Sequence, residues 1–179
     1  MNRHTDLADE ATRIVFREFE TCSCGVRLAP LTGPIHDYML STPSCWHAFG
    51  SLLAREYEDP ARWSVHRHSV DAYAVQHPGI DSAQARNSIG IHLSRLYFLF
   101  ARGWPTDRVD RIMPQIIKKK MEYPWLKPPS VVAHVNIGHV LQSETAADHR
   151  ARVLLWAESS WAQWVEYHSQ VQEWWRNVP

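Results

Sequence analysis

The sequence feature that most constrains the fold is a long segment near the C-terminus, residues 145–175, in which core-type residues recur at every third or fourth position. The residues at this spacing are Leu154, Ala157, Trp161, Trp164, His168, Val171 and Trp175. Steps of three and four place side chains on one face of an α-helix, whereas a half-buried strand would alternate. The segment therefore predicts a long amphipathic helix whose tryptophans fill the core, with His168 as a hydrogen-bonded core residue.

Five other segments carry helical spacing or helix-boundary residues, and together they predict a mainly α protein. These segments are residues 5–20, 44–58, 64–77, 82–102 and 107–121, the last interrupted by Pro114. Residues 130–142 are compatible with a strand or a short helix, and residues 21–44 contain too many glycines and prolines for a regular element. We therefore expect a compact helical bundle of five to six helices, a single domain over residues 1–179, with an irregular Cys-containing segment near residues 21–44.

Charge and motif content exclude several function classes. The 179 residues include 19 Lys+Arg and 19 Asp+Glu, a formal net charge of +0, which argues against nucleic-acid binding through bulk phosphate attraction. The sequence contains no run of about 18 apolar residues, so it predicts no membrane span. The N-terminus has no apolar signal core. We therefore expect a cytoplasmic protein with no membrane association. Phosphate-binding glycine loops, the serine elbow of hydrolases and the HExxH zinc motif do not occur in the sequence.

A first set of metal-ligand candidates lies in or beside the irregular segment: Cys22, Cys24, His36 and Cys45. Thiolate and imidazole are ligands that tetrahedral zinc favours, and a segment that buries little apolar surface gains folding energy from a metal. In a reducing compartment, the three cysteines favour thiols or thiolate ligands over disulfides. Only one residue separates Cys22 from Cys24, whereas zinc motifs usually place about two to four residues between cysteines. Free, partly buried cysteines with a surface histidine are therefore the alternative.

A second set lies between His66 and His77, with His92 on the next predicted helix. On one helix His66 and His77 would stand about 16 Å apart, too far to share an ion. His68 and Asp71 lie one turn apart and could bind an ion together; if the helix begins later, His66 can fold back toward Asp71. Helical bundles build zinc, iron or manganese sites from such residues, but Asp71 and His77 could instead complement the helix dipole.

Several motifs resemble those of a bacterial protein family known as a domain of unknown function. The most specific is VDAYAVQHPG at residues 70–79; the others are Cys24-Gly25, SCW at 44–46 with AREY at 54–57, PWL and PP within 124–129, and Trp156-Ala157 followed by Trp161, Trp164 and His168. The resemblance implies motif positions at His66, Asp71, Tyr73, Gln76, His77 and His92. His68 is not among them, so the resemblance favours His66 in the second set.

The family's first cysteine pair reads Cys-x-x-Cys-Gly, whereas this chain has one residue fewer between Cys22 and Cys24. The resemblance therefore implies a zinc clip that includes Cys24, His36 and Cys45 and leaves the role of Cys22 open. It brings no established activity.

Two functions follow as hypotheses. The first is a protein that uses a divalent metal, zinc ahead of iron or manganese, to act on a small-molecule substrate, with Tyr73 and Gln76 as catalytic residues. The second is a non-catalytic module, stapled by zinc, that binds a protein or ligand partner. The metal-ligand candidates across both are His66, Asp71, His77, His92, Cys24, His36 and Cys45. A buried hydrogen-bond network without metal is a third interpretation of the same residues.

Overall fold

A computed structural model describes residues 18–178, and within that range the chain is mainly helical, as predicted. A short antiparallel hairpin of strands β1 (Glu20–Thr21) and β2 (Arg27–Leu28) precedes eight α-helices. The helices are α1 (Pro43–Glu58), α2 (Pro60–Trp63), α3 (His66–Gln76), α4 (Ala83–Leu96), α5 (Thr106–Lys118), α6 (Ile137–Leu141), α7 (Ala146–Gln163) and α8 (His168–Trp174). A π-helical segment, Tyr97–Ala101, continues α4, and a 3-10 turn, Val165–Tyr167, joins α7 to α8.

Side-chain caps explain where the longer helices begin. The hydroxyl of Thr42 accepts a hydrogen bond from the Cys45 N–H, and Pro43 occupies the first turn of α1. Ser82 and Thr145 cap α4 and α7 in the same way. These caps satisfy backbone N–H groups that have no partner within the helix. The residues at these positions therefore determine where α1, α4 and α7 begin.

Helix α3 is the centre of the bundle and contacts α1, α4 and α7. Most of its residues are buried, so its polar side chains must find partners inside the protein. Tryptophan indole N–H groups bond to α3, and the burial of Trp161, Trp164 and Trp175 confirms that the tryptophans of the C-terminal segment fill the core. Trp156 donates to Gln76 Oε1 (2.9 Å) and Trp164 donates to the carbonyl of Val75 (3.1 Å).

Not every sequence-based expectation is confirmed by the described residues. The predicted helix over residues 5–20 lies outside the described residues, except for residues 18–20, of which Glu20 belongs to β1. The described residues contain more helices than five to six, because the short helices α2 and α6 add to the count and the C-terminal segment divides into two. That division occurs at Trp164, where the backbone leaves the helix and the 3-10 turn begins.

The predicted interruption of the fifth helix at Pro114 is wrong, since α5 runs through this residue. Pro114 is exposed, so water can hydrate the carbonyl of Asp110 that loses its helical N–H partner. His168 makes a hydrogen bond, as expected, but is half-buried and not in the core: it stacks on the Trp161 ring at 3.8 Å and donates from Nε2 to the Trp161 carbonyl. Among the described residues, no helix combines the length and apolar character needed to cross a membrane.

Candidate metal centre

Four buried side chains, Cys22, Cys24, Cys45 and His77, bring their ligand atoms within 4.8 Å of one another. We call this group the cysteine–histidine cluster. In the described part of the chain it is the one group of three or more cysteine, histidine or acidic residues with this compactness. The cluster could therefore hold a metal ion.

Three separate segments supply the cluster. Cys22 and Cys24 lie in the connection between β1 and β2, where Gly25 adopts a positive φ of 83° and its N–H donates to the Cys22 carbonyl (2.8 Å). A glycine takes this left-handed conformation at little cost, so the hairpin can fold back and present two thiols on a tight turn. Cys45 lies in the first turn of α1, and His77 directly follows the last residue of α3.

The distances within the cluster fit tetrahedral coordination. The Sγ atoms of Cys24 and Cys45 are 3.9 Å apart, and Cys45 Sγ lies 3.4 Å from His77 Nε2. A tetrahedral zinc ion with Zn–S of about 2.3 Å and Zn–N of about 2.05 Å requires S···S and S···N separations of about 3.8 and 3.6 Å. These two spacings are therefore close to two of the six edges of such a tetrahedron.

Groups around the cluster orient its ligands. The Nδ1–H of His77 donates to the carbonyl of Tyr73 (2.7 Å), which leaves Nε2 as the lone-pair atom that faces Cys45. The backbone N–H of Thr42 donates to Cys22 Sγ (3.4 Å), and the Tyr73 hydroxyl donates to Cys45 Sγ (3.7 Å). Donors of this kind stabilise negative charge on sulfur, as metal-bound thiolates require.

The thiols are strongly coupled to one another. Hydrogen bonds from Cys24 and Cys45 lower the pKa of Cys22 far below that of an ordinary thiol. The hydrogen bond to Cys22 raises the pKa of Cys24 to about 12, and hydrogen bonds to Cys22 and Cys24 together with burial raise the pKa of Cys45. The three thiols therefore differ in acidity, with Cys22 the most acidic, and a divalent cation would compensate negative charge on all of them.

Three of the predicted metal ligands, Cys24, Cys45 and His77, meet in the cluster, and Cys22, whose role the sequence left open, joins them. His36, predicted as a ligand beside the cysteines, is not a member of the cluster. Its Nδ1 accepts a hydrogen bond from the Tyr38 N–H (3.3 Å). The sequence analysis grouped His77 with the run that begins at His66. Only the packing of α3 against α1 brings His77 to Cys45, which lies 32 residues earlier.

The second predicted set occupies other parts of α3 and α4. His66 donates from Nδ1 to Glu56 Oε2 (2.9 Å), so its ring pairs with α1. Both oxygens of Asp71 are engaged: Oδ1 accepts from His92 Nδ1 (2.8 Å) and Oδ2 accepts from Arg95 Nε (2.6 Å). A metal site formed by His66, Asp71 and His92 stays a prediction.

The residues predicted to be catalytic, Tyr73 and Gln76, are buried. The Tyr73 ring stacks on Phe49 at 3.8 Å, and burial raises the pKa of its hydroxyl. Gln76 accepts from Trp156 and donates to the carbonyl of Val135 (2.8 Å). Their catalytic role stays a prediction, and the contacts link α3 to its neighbours.

Sequence reasoning quoted Glu56 only as part of the AREY motif and gave no role to its carboxylate, which is buried and 0% exposed. It accepts hydrogen bonds from Ser69 Oγ (2.5 Å), His149 Nε2 (3.0 Å) and His66. The signal available was weak, because a lone glutamate near a helix C-terminus usually faces solvent. These contacts join α1, α3 and α7 through one carboxylate.

Comparison with known proteins gives one relationship. No curated protein and no solved structure matches the chain. Residues 20–165 match a family of unknown function, DUF5946. The matched range extends from β1 past the end of α7 and includes every residue of the cysteine–histidine cluster. The chain therefore belongs to DUF5946, a family of unknown function.

Proposed function

We propose that the protein binds one zinc ion in the cysteine–histidine cluster and that this ion is structural, joining the β1–β2 hairpin to α1 and α3. The protein is then a zinc-stapled helical module that acts by binding a ligand or partner. The observation that carries the proposal is the convergence of four ligand atoms from three chain segments within 4.8 Å.

The ligand set supports zinc and a structural role. Three sulfurs and one imidazole nitrogen are a recognised structural zinc set, whereas manganese and magnesium prefer oxygen ligands. Catalytic zinc sites usually have three protein ligands and an open position for water or substrate. Four buried protein ligands complete the tetrahedron and leave no such position.

The surrounding segment explains why an ion is useful. Between β2 and α1 the chain has no regular element, and Leu31, Ile35 and Leu40 are about half exposed in it. This segment therefore buries little apolar surface that could hold it to the bundle. A zinc ion replaces the missing packing, because its binding energy becomes folding energy when the site forms only on folding.

Metal content of the purified protein tests the proposal, with two histidines as a matched pair. We expect one zinc per chain in the wild type and in His36→Ala, because the His36 ring bonds to Tyr38 and is outside the cluster. His77→Ala and Cys45→Ser should lose the ion or bind it much more weakly. Treatment with a strong chelator should lower the melting temperature of the wild type.

Loss of zinc in His36→Ala, with retention in His77→Ala, would contradict the proposed ligand set. His66→Ala and His92→Ala provide a further control, because the proposal requires that both keep the ion. If either variant released the single ion, the metal would belong to the second predicted set and an open, catalytic site would be the better interpretation.

A further inference from the structure

A cleft of about 340 Å³ lies between helices α2, α3, α4 and α5, and none of the four cluster ligands lines it. Its apolar walls are formed by Trp63, Val70, Ile91, Met113 and Ile117. The volume is that of a site for a small molecule, and apolar walls with a few convergent polar groups are typical of ligand pockets. The polar groups in this cleft have unused hydrogen-bonding capacity.

Arg95 lines the cleft and has a buried donor without a partner. Its side chain is 5% exposed; Nε donates to Asp71 (2.6 Å) and Nη1 donates to Asp110 (2.5 Å). Nη2 is buried and makes no hydrogen bond to any of the described residues. A buried donor without an acceptor is unfavourable, so an acceptor atom supplied by a ligand would be stabilised here.

Two histidines in the cleft wall offer acceptors. A buried carboxylate accepts from Nδ1 of each ring: Glu56 for His66 and Asp71 for His92. This hydrogen bond keeps the proton on Nδ1 and leaves Nε2 as the acceptor in the neutral ring. Neither Nε2 atom has a hydrogen bond within the described residues, and the side chains are 12% and 19% exposed.

Both arginines in the cleft wall already have carboxylate partners. Arg95 and Arg67 both pair with Asp110, and Asp71 provides a second carboxylate for Arg95. Glu56 adds negative charge behind His66. Two arginines face three carboxylates, so an anionic ligand would meet no uncompensated cation, whereas a neutral ligand needs none.

We propose that this cleft binds a small, neutral, largely apolar carboxamide. The amide oxygen accepts from Arg95 Nη2, and the amide N–H donates to Nε2 of His92 or His66. The apolar body of the ligand contacts the walls, including Trp63, whose ring stacks on His66 at 4.2 Å. This assignment concerns a site separate from the metal cluster and does not depend on the zinc proposal.

The test is an NMR titration of the 179-residue protein, as purified, with three probes of similar shape: benzamide, acetophenone and benzoate. We expect benzamide to saturate with a dissociation constant of about millimolar, as suits so small a ligand, and to shift the Trp63 indole signal. Acetophenone lacks the N–H donor and should bind several-fold more weakly. Benzoate should bind at least about tenfold more weakly, because its charge is uncompensated in the cleft.

Two variants and one control locate the site. Arg95→Lys keeps the positive charge but lacks Nη2, and Val70→Phe fills the cleft without removing a polar group; each should weaken benzamide binding about tenfold or more. His47→Ala is the control, because His47 lines a different surface groove. This variant should bind benzamide with the same affinity as the wild type.

Three results would each overturn the proposal: no saturable shift with benzamide, benzoate binding as tightly as benzamide, or undiminished binding in Val70→Phe. Val70→Phe leaves the ion pairs of Arg95 in place. Benzamide binding by Val70→Phe, compared with the wild type, therefore tests the proposal even if Arg95→Lys fails to fold.

Discussion

The buried carboxylate of Asp71 connects α3 to α4, and its replacement by asparagine should destabilise the protein strongly. The Asp71 side chain is 2% exposed and accepts two charge-assisted hydrogen bonds, one from His92 and one from Arg95. In Asp71→Asn one acceptor oxygen remains, while the new amide N–H₂ faces a donor. The Arg95 guanidinium then keeps a single carboxylate partner, Asp110, whose side chain is 35% exposed.

Removal of one partner from a buried ion pair costs about 3–5 kcal/mol, because the remaining charge stays desolvated. Here the loss is partial, since Arg95 retains Asp110 and the asparagine oxygen can still accept one bond. We therefore expect a decrease of about 2–4 kcal/mol in the free energy of unfolding. For a chain of this length, such a decrease corresponds to a melting temperature lower by about 4–16 °C.

Urea denaturation followed by circular dichroism, at constant zinc concentration and neutral pH, measures this change. Asp107→Asn is the matched control, because Asp107 pairs with Arg111 on the exposed surface of α5 and should give a midpoint close to that of the wild type. If the free energy of unfolding of Asp71→Asn decreases by less than about 1 kcal/mol, or by no more than that of the control, the reasoning from burial is refuted.

Three further predictions follow from buried contacts. Trp156→Phe leaves Gln76 Oε1 without its donor and should cost about 1–3 kcal/mol in a urea titration. Gly90→Ala places a methyl group against the Tyr123 ring and should lower stability by about 1–3 kcal/mol in the same assay. Burial lowers the pKa of His68, so protonation favours the unfolded chain; stability due to this group is lost as pH falls below the unfolded pKa of about 6.5. His68→Gln should therefore show a smaller decrease in urea midpoint between pH 7.5 and pH 5 than the wild type does.

Local sequence signals predicted much of the helical architecture. Residues 44–58 and 82–102 correspond to α1 and to α4 with its π-helical continuation, since capping residues and periodic apolar positions act over one or two turns. Pro114 and Trp164 show the limit of such signals. A proline can lie inside a helix when its face is exposed, and a continuous apolar stripe can divide where an indole bonds to another helix.

The candidate metal centre was predicted in part. Cysteine content and the irregular segment pointed to Cys24 and Cys45, and His77 was recognised as a candidate in a different set. His36 is nearer to the cysteines in sequence, but nearness along the chain does not decide which imidazole reaches them. In the structure His36 instead packs against Tyr38 and Trp46.

The sequence alone determined that this protein is mainly helical, that the tryptophans of its C-terminal segment fill the core, and which residue types could bind a metal, because these properties depend on local spacing and side-chain chemistry. Tertiary packing decided which candidates meet. It placed the two ends of α3 in different environments, His77 beside three thiols and His66 beside Glu56. Atoms far apart in the sequence become neighbours only when the helices pack, and no local pattern encodes that packing.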